Sequence, residues 1–181
     1  MRRILKFLLL LGSLHGCIRT DHVISRPTIR DYSGWKMIEN CGYEHCDPLV
    51  DFLTTEDVSI RIESLNDAPR TIFVIRVLFI PKNRNEVAFN PSVVSVKRAD
   101  GRTLAAKGLP CRTIFDISHL RSARPITGPV QIDKLDCFYL FFDSPPPSVE
   151  EEFTLKLAGV IRKGQALEVP DIIFRKGISR W

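Results

Sequence analysis

Short runs in which every second residue is apolar constrain the fold of this chain more than any other feature of its sequence. Residues 58–63 and 153–157 alternate in this way, with apolar residues at Val58, Ile60 and Ile62 in the first run. Successive side chains of a strand point to opposite faces, whereas a helix repeats every three or four residues. The alternation therefore indicates strands with one face in a core.

Two further runs are apolar on nearly every residue. Residues 71–80 are interrupted only by Arg76, which is typical of a central strand covered on both sides. Residues 137–142 are rich in aromatic side chains and end where three prolines, which cannot donate to a ladder, follow at 145–147. Between these runs, Asp100-Gly101 separates two β-prone segments and predicts a hairpin.

Short strands separated by turns every eight to twelve residues or so are typical of an antiparallel sandwich. We expect an all-β, Ig-like β-sandwich of about seven or eight strands, with short helices as candidates at 48–55 and 116–123. The strands carry more apolar side chains than one face can expose. The predicted core is Phe73, Ile75, Val77, Phe79, Phe138, Leu140, Phe142, Phe153, Leu155 and Leu157.

The first residues have a different character. Arg2, Arg3 and Lys6 give a positive start, and residues 4–14 are nearly all apolar. An apolar run of about ten residues is too short to cross roughly 30 Å of hydrocarbon as a helix. A charged start followed by a short apolar run predicts a secretory signal peptide.

The run ends in Leu14-His15-Gly16-Cys17, which resembles the bacterial lipobox. The resemblance implies that the Cys17 thiol carries diacylglycerol, that the chain is cut before Cys17, and that the new amine is acylated, for example with palmitate. Several acyl chains hold a protein on a membrane effectively permanently. In a cell with two membranes, Ile18, rather than the Asp that marks inner-membrane retention, implies an outer-membrane lipoprotein facing the periplasm.

These features predict three parts of the chain. Residues 1–16 are the signal peptide, residues 17–35 are the lipidated N-terminus with an irregular tether, and residues 36–181 are the β-sandwich domain. Pro27 and Gly34 interrupt the tether, in which no period is sustained.

Charge argues against a nucleic-acid partner. The chain has 26 Lys and Arg against 21 Asp and Glu, a net charge of +5. Three of the cations lie in the signal peptide, which leaves 23 against 21, or +2. Such a balanced mixture creates no large attractive field for nucleic acid.

Four cysteines remain after Cys17, and an exported chain meets an oxidising compartment in which cysteines pair. Four cysteines allow three connectivities, of which we favour Cys41–Cys46 and Cys111–Cys137. The alternative is a metal site that combines these thiols with His45, but the spacing lacks the CxxC pair common in zinc sites.

The stretch from about 100 to 125 is long, loop-rich and locally basic, which makes it the candidate partner surface. It contains Arg102, Arg112, Arg121 and Arg124. Such a surface would suit anionic lipid, polysaccharide or an acidic protein face.

No motif for phosphate binding, zinc proteolysis or a nucleophilic serine occurs, so no catalytic residue, metal or cofactor is predicted. The expected function is non-enzymatic: a lipid-anchored module that binds another envelope component, such as a protein. The alternatives are a cell-envelope hydrolase using His45 or His119, and a metal-binding lipoprotein.

Overall fold

The computed structural model describes residues 21–29, 34–41, 46–65, 72–84, 86–111 and 124–180. In these ranges the regular structure consists of fifteen strands and one turn of 3₁₀ helix at Pro91–Val93. All strand pairs are antiparallel, as is expected when hairpins and short connections join them. The predicted all-β class is confirmed.

The strands, numbered in chain order, form three sheets. The six-stranded sheet has the spatial order β2 (Lys36–Cys41), β3 (Cys46–Thr54), β4 (Val58–Ser64), β5 (Phe73–Pro81), β11 (Asp136–Phe142) and β9 (Lys107–Pro110). The five-stranded sheet has the order β1 (Asp21–Ile29), β15 (Ile172–Arg180), β12 (Phe153–Lys156), β7 (Ser95–Lys97) and β8 (Thr103–Ala105). The four-stranded sheet has the order β10 (Val130–Ile132), β6 (Val87–Phe89), β13 (Val160–Arg162) and β14 (Gln165–Ala166).

The core lies between the six-stranded sheet and the other two, which gives a sandwich-like arrangement. Phenylalanine rings from all three sheets meet there. Phe153 stacks on Phe174 with centroids 4.6 Å apart, and the ring of Phe73 meets Phe153 edge-on. Every residue of the predicted core is buried, so the predicted period-two register is confirmed.

The six-stranded sheet is apolar on its outer face as well. Val74, Leu109, Tyr139 and Phe141 form a second buried cluster there. The prediction that the strand in 71–80 is covered on both sides is therefore confirmed for the first half of β5, where Phe73, Val74 and Ile75 are all fully buried.

One acidic residue departs from the expected pattern. The alternation in β4 predicts Arg61 and Glu63 on the solvent side, but Glu63 is only 4 % exposed. Its carboxylate forms ion pairs with Arg61 on the same strand and with Arg76, its register partner on β5. Two guanidinium groups thus cover this carboxylate, which is the usual condition for burying a charge.

Two details of the predicted fold differ from the structure, and a third lies outside the described residues. Residues 48–55 are not helical, because nearly all of them lie in β3, which pairs with β2 and β4. The candidate helix at 116–123 lies outside the described residues. The described residues form fifteen strands where seven or eight were expected, because three strands precede residue 58 and short strands such as β6, β9 and β10 occur where none was predicted.

The predicted tether also differs over one stretch. Asp21–Ile29 form β1, which pairs with β15 over its full length, from Asp21 opposite Arg180 to Ile29 opposite Ile172. The partner strand is more than 140 residues away, so local sequence gives little sign of this pairing. Within the described ranges, no helix is long and apolar enough to cross a membrane.

Candidate functional site

An open pocket of about 890 Å³ lies at one end of the sandwich. It forms where the β3–β4 turn, the end of β5, the β13–β14 hairpin and the start of β2 come together, and we call this the pocket end. The lining residues are Gly34, Trp35, Lys36, Thr55, Glu56, Asp57, Lys82, Arg162, Leu167 and Glu168.

The floor of the pocket is set by Trp35, which is 6 % exposed. Its indole Nε1 donates a hydrogen bond of 2.9 Å to the carbonyl oxygen of Glu168. Leu167 is held beside it because its N–H donates to the carbonyl oxygen of Val160 on β13. A buried tryptophan with its polar edge satisfied provides a rigid apolar surface.

One wall of the pocket is the tight turn between β3 and β4. The hydroxyl oxygen of Thr55 accepts hydrogen bonds from the N–H groups of Asp57 and Val58, at 3.1 and 3.2 Å. A threonine side chain that binds its own backbone a few residues on is a common way to fix a turn. The turn presents Glu56, which is exposed, at the rim.

Two cations bind this turn from neighbouring strands. Lys82, just after β5, donates from Nζ to the carbonyl oxygen of Thr55 at 2.7 Å. Arg162, at the end of β13, forms an ion pair of 3.0 Å with Asp57. The Arg162 side chain is 41 % exposed and that of Asp57 is 17 % exposed, so solvent weakens this ion pair. Its main effect is to fix the position of the turn.

The charges around the pocket are balanced. The lining contains three cations, Lys36, Lys82 and Arg162, and three carboxylates, Glu56, Asp57 and Glu168, together with the indole ring of Trp35 and Leu167. The arrangement therefore suits binding of a ligand that has both charges and an apolar part.

The basic surface predicted from the sequence is only partly described. Arg112 and Arg121, like Cys17, lie outside the described residues. Arg124 is exposed and precedes Ile126, whose N–H donates to the carbonyl oxygen of Gly108 on β9. Arg102 lies in the tip of the β7–β8 hairpin, away from the pocket.

That hairpin confirms the prediction made from Asp100-Gly101. Its tip comprises residues 98–102, with the N–H of Arg98 donating to the carbonyl oxygen of Arg102 at 2.8 Å. Gly101 has a φ of +85°, which favours glycine. The backbone N–H and the guanidinium of Arg102 both donate to Asp100 and hold the pKa of that carboxyl below its usual value.

Arg98 fastens the same hairpin to the proline-rich loop at 143–152. Its guanidinium donates twice to the Glu151 carboxylate, with both distances 2.6 Å, and also to Ser144 Oγ and the carbonyl oxygen of Pro145. The hydrogen bond to Glu151 raises the pKa of Arg98. This contact holds the loop at 143–152, and none of its residues lines the pocket.

The structure contains the predicted disulfide between Cys111 and Cys137, whose Cα atoms are 5.1 Å apart. Cys41 and Cys46 are register partners at the ends of β2 and β3, and their thiols lie outside what the structure describes. His45 and His119, on which the hydrolase and metal alternatives depend, are also outside it. Among the described residues no three potential metal ligands lie close together.

The pocket residues were not identified from sequence. Both the turn at 55–57 and the turn at 162–165 connect strands, as their polar residues indicate, but the two are more than 100 residues apart. No local pattern indicates that they meet. Comparison with known proteins gives no relative: no family model, no curated protein and no solved structure matches this chain.

Proposed function

We propose that this chain is a lipid-anchored envelope protein that binds another envelope component, most simply a segment of a partner protein, in the pocket around Trp35. The observation that carries the proposal is the pocket itself, whose lining combines a buried indole with three cations and three carboxylates. Anchoring is supported by the lipobox resemblance at Cys17, and Ile18 favours the outer membrane facing the periplasm.

A peptide segment matches this chemistry better than a small anion or an apolar molecule. The rim offers exposed groups of both signs, Lys36 and Lys82 on one hand and Glu56 and Glu168 on the other. A partner with one basic and one acidic side chain can pair with both, while an apolar side chain contacts Trp35. Matched charges determine which partner fits and in which orientation.

The pocket is tested by capture of partners from the native envelope with the lipidated chain as bait. Glu56→Lys and Glu168→Lys reverse two exposed charges of the rim, and Glu152→Lys makes the same change at an exposed site remote from it. A partner that binds wild type and Glu152→Lys but is lost from both rim variants supports the proposal. A partner retained by the rim variants but lost after Arg102→Glu or Arg124→Glu would assign binding to the predicted basic surface instead.

The anchor is tested separately. Cys17→Ser should release the folded domain from membranes, and wild type should incorporate a labelled fatty acid that the variant does not. Absence of label from the wild type would overturn the lipid anchor and leave the pocket proposal standing.

A further inference from the structure

The first described residue, Asp21, already belongs to a strand of the sandwich. Only residues 18–20 separate it from Cys17. A fully extended chain advances at most about 3.5 Å per residue, so Cys17 and Asp21 can be no more than roughly 14 Å apart. If Cys17 carries lipid, the start of β1 is held within that distance of the membrane.

The register of β1 fixes which end of the domain this is. Asp21 pairs with Arg180, and eight residues further on Ile29 pairs with Ile172. At about 3.4 Å per residue, the two ends of this ladder are some 27 Å apart. The pocket lies at the Ile29–Ile172 end, where Trp35 is bonded to Glu168, so the anchor and the pocket are at opposite ends.

Two loops of the domain point toward the end at which β1 starts, which we call the anchor end. On β12, Phe153 pairs with Phe174 and Leu155 pairs with Ile172, so the start of β12 is on the side of Arg180. On β7, Lys97 pairs with Thr154 and Ser95 pairs with Lys156, so the end of β7 is on that side too. The β7–β8 hairpin tip and the loop at 143–152 therefore project toward the anchor end from the level of Ile173. In the tip, Arg102 is 67 % exposed.

We propose that the anchor end faces the phospholipid headgroups, with the hairpin tip at residues 98–102 on the membrane side of the domain, and that the pocket opens away from the membrane. The inference rests on lipidation of Cys17. It makes the pocket a fixed receptor: the domain cannot extend across the envelope on a long tether, so its partner must approach to within roughly 40 Å of the anchoring membrane.

The test uses the full lipidated chain in native membranes, with a photo-crosslinking amino acid introduced at one position at a time. Arg102 probes the side of the domain that faces the anchor end. Lys134, exposed in the loop before β11, probes the pocket end, because Asp136 pairs with Phe79 near the end of β5. We expect cross-links to phospholipid from position 102 and none from position 134.

A second variant separates orientation from attachment. A Gly/Ser spacer of 20 residues inserted between Thr20 and Asp21 adds an average reach of roughly 25 Å. The lipid cross-links from position 102 should then be lost while the fatty-acid label remains. The orientation would be overturned if labelled wild type gave equal lipid cross-links from positions 102 and 134, or none from position 102. The anchor would be overturned if wild type took up no fatty-acid label.

Discussion

Trp35 and Glu168 are 133 residues apart in sequence, yet the indole nitrogen of one donates to the main-chain oxygen of the other at 2.9 Å. Trp35 immediately precedes β2, the edge strand of the six-stranded sheet, and Glu168 precedes β15 of the five-stranded sheet. The bond therefore joins the two layers at the pocket end. The pocket floor exists only because the two sheets are closed onto each other there.

Trp35→Phe should lower the free energy of unfolding by about 1 kcal/mol, because it removes this hydrogen bond while keeping an aromatic ring. Leu135→Ala, at an exposed site in the loop before β11, is the control and should change stability little. Urea unfolding measures both. If the two variants had the same midpoint, the bond would contribute nothing to closing the sandwich.

Most of the fold could be predicted because burial leaves a local record in the sequence. The alternation in 153–157 and the aromatic run at 137–142 each require a buried face, and the structure buries Phe153 and Phe142 accordingly. The Asp100-Gly101 hairpin has a local cause too, since glycine supplies the positive φ that the turn needs.

What could not be predicted depends on distant pairing. The pairing of β1 with β15 is decided between strands, and so is the ion pair of the buried Glu63 with Arg76 on β5. The same holds for the pocket, where the Asp57–Arg162 ion pair joins two turns that each resemble an ordinary solvated turn in sequence. An Ig-like strand connectivity remains a prediction.

Removing the Cys111–Cys137 disulfide should destabilise the domain. The bridge closes a loop with a sequence separation of 26, for which chain entropy predicts a stabilisation of roughly 3–4 kcal/mol. The double variant Cys111→Ser, Cys137→Ser should therefore unfold at a lower denaturant concentration than wild type. A reducing agent should lower the unfolding midpoint of wild type more than that of the variant, which can lose only the short-loop bridge.

Mass mapping of the unreduced protein provides the companion measurement. We expect no free thiol at Cys41, Cys46, Cys111 or Cys137, with a short-loop bridge between the first two. Their backbones are register partners on β2 and β3, which is compatible with this pairing. Free thiols at Cys41 and Cys46 in protein from an oxidising compartment would contradict it.

The register of β12 is tested by two substitutions three residues apart. Phe153→Ala should cost about 3–5 kcal/mol, because it removes a ring packed on Phe174 and Phe73 and leaves a cavity. Lys156→Ala should lower stability much less, because the Lys156 side chain is 51 % exposed and its ion pair with Asp171 is exposed and as long as 3.8 Å. Equal midpoints in thermal or urea unfolding would mean that Phe153 is not in the core.

The pH response of the hairpin tip follows from Asp100. The hydrogen bonds from Arg102 lower the pKa of this carboxyl, so the ionised form stabilises the folded tip. This contribution is present above the unfolded pKa and is lost as pH falls through the lower folded value, in acid below about pH 4. In an NMR titration, the Arg102 amide should shift in that range, and Asp100→Asn should remove the shift. A wild-type amide that does not respond would contradict the bond.

The same hairpin offers a comparison of two arginine–carboxylate pairs that have equal distances and different burial. Arg98–Glu151 and Arg102–Asp100 are both 2.6 Å, but the Arg98 side chain is 10 % exposed and that of Arg102 is 67 % exposed. Arg98→Ala should cost about 2–3 kcal/mol, because it also leaves Glu151 partly buried without its partner and frees the loop at 143–152. Arg102→Ala should cost less than about 1 kcal/mol, because water solvates both of its charges. Urea midpoints at low and high salt distinguish the cases, since screening weakens the exposed pair more. Equal losses of stability would mean that burial does not strengthen the Arg98 contact and that the proline loop is held by something else.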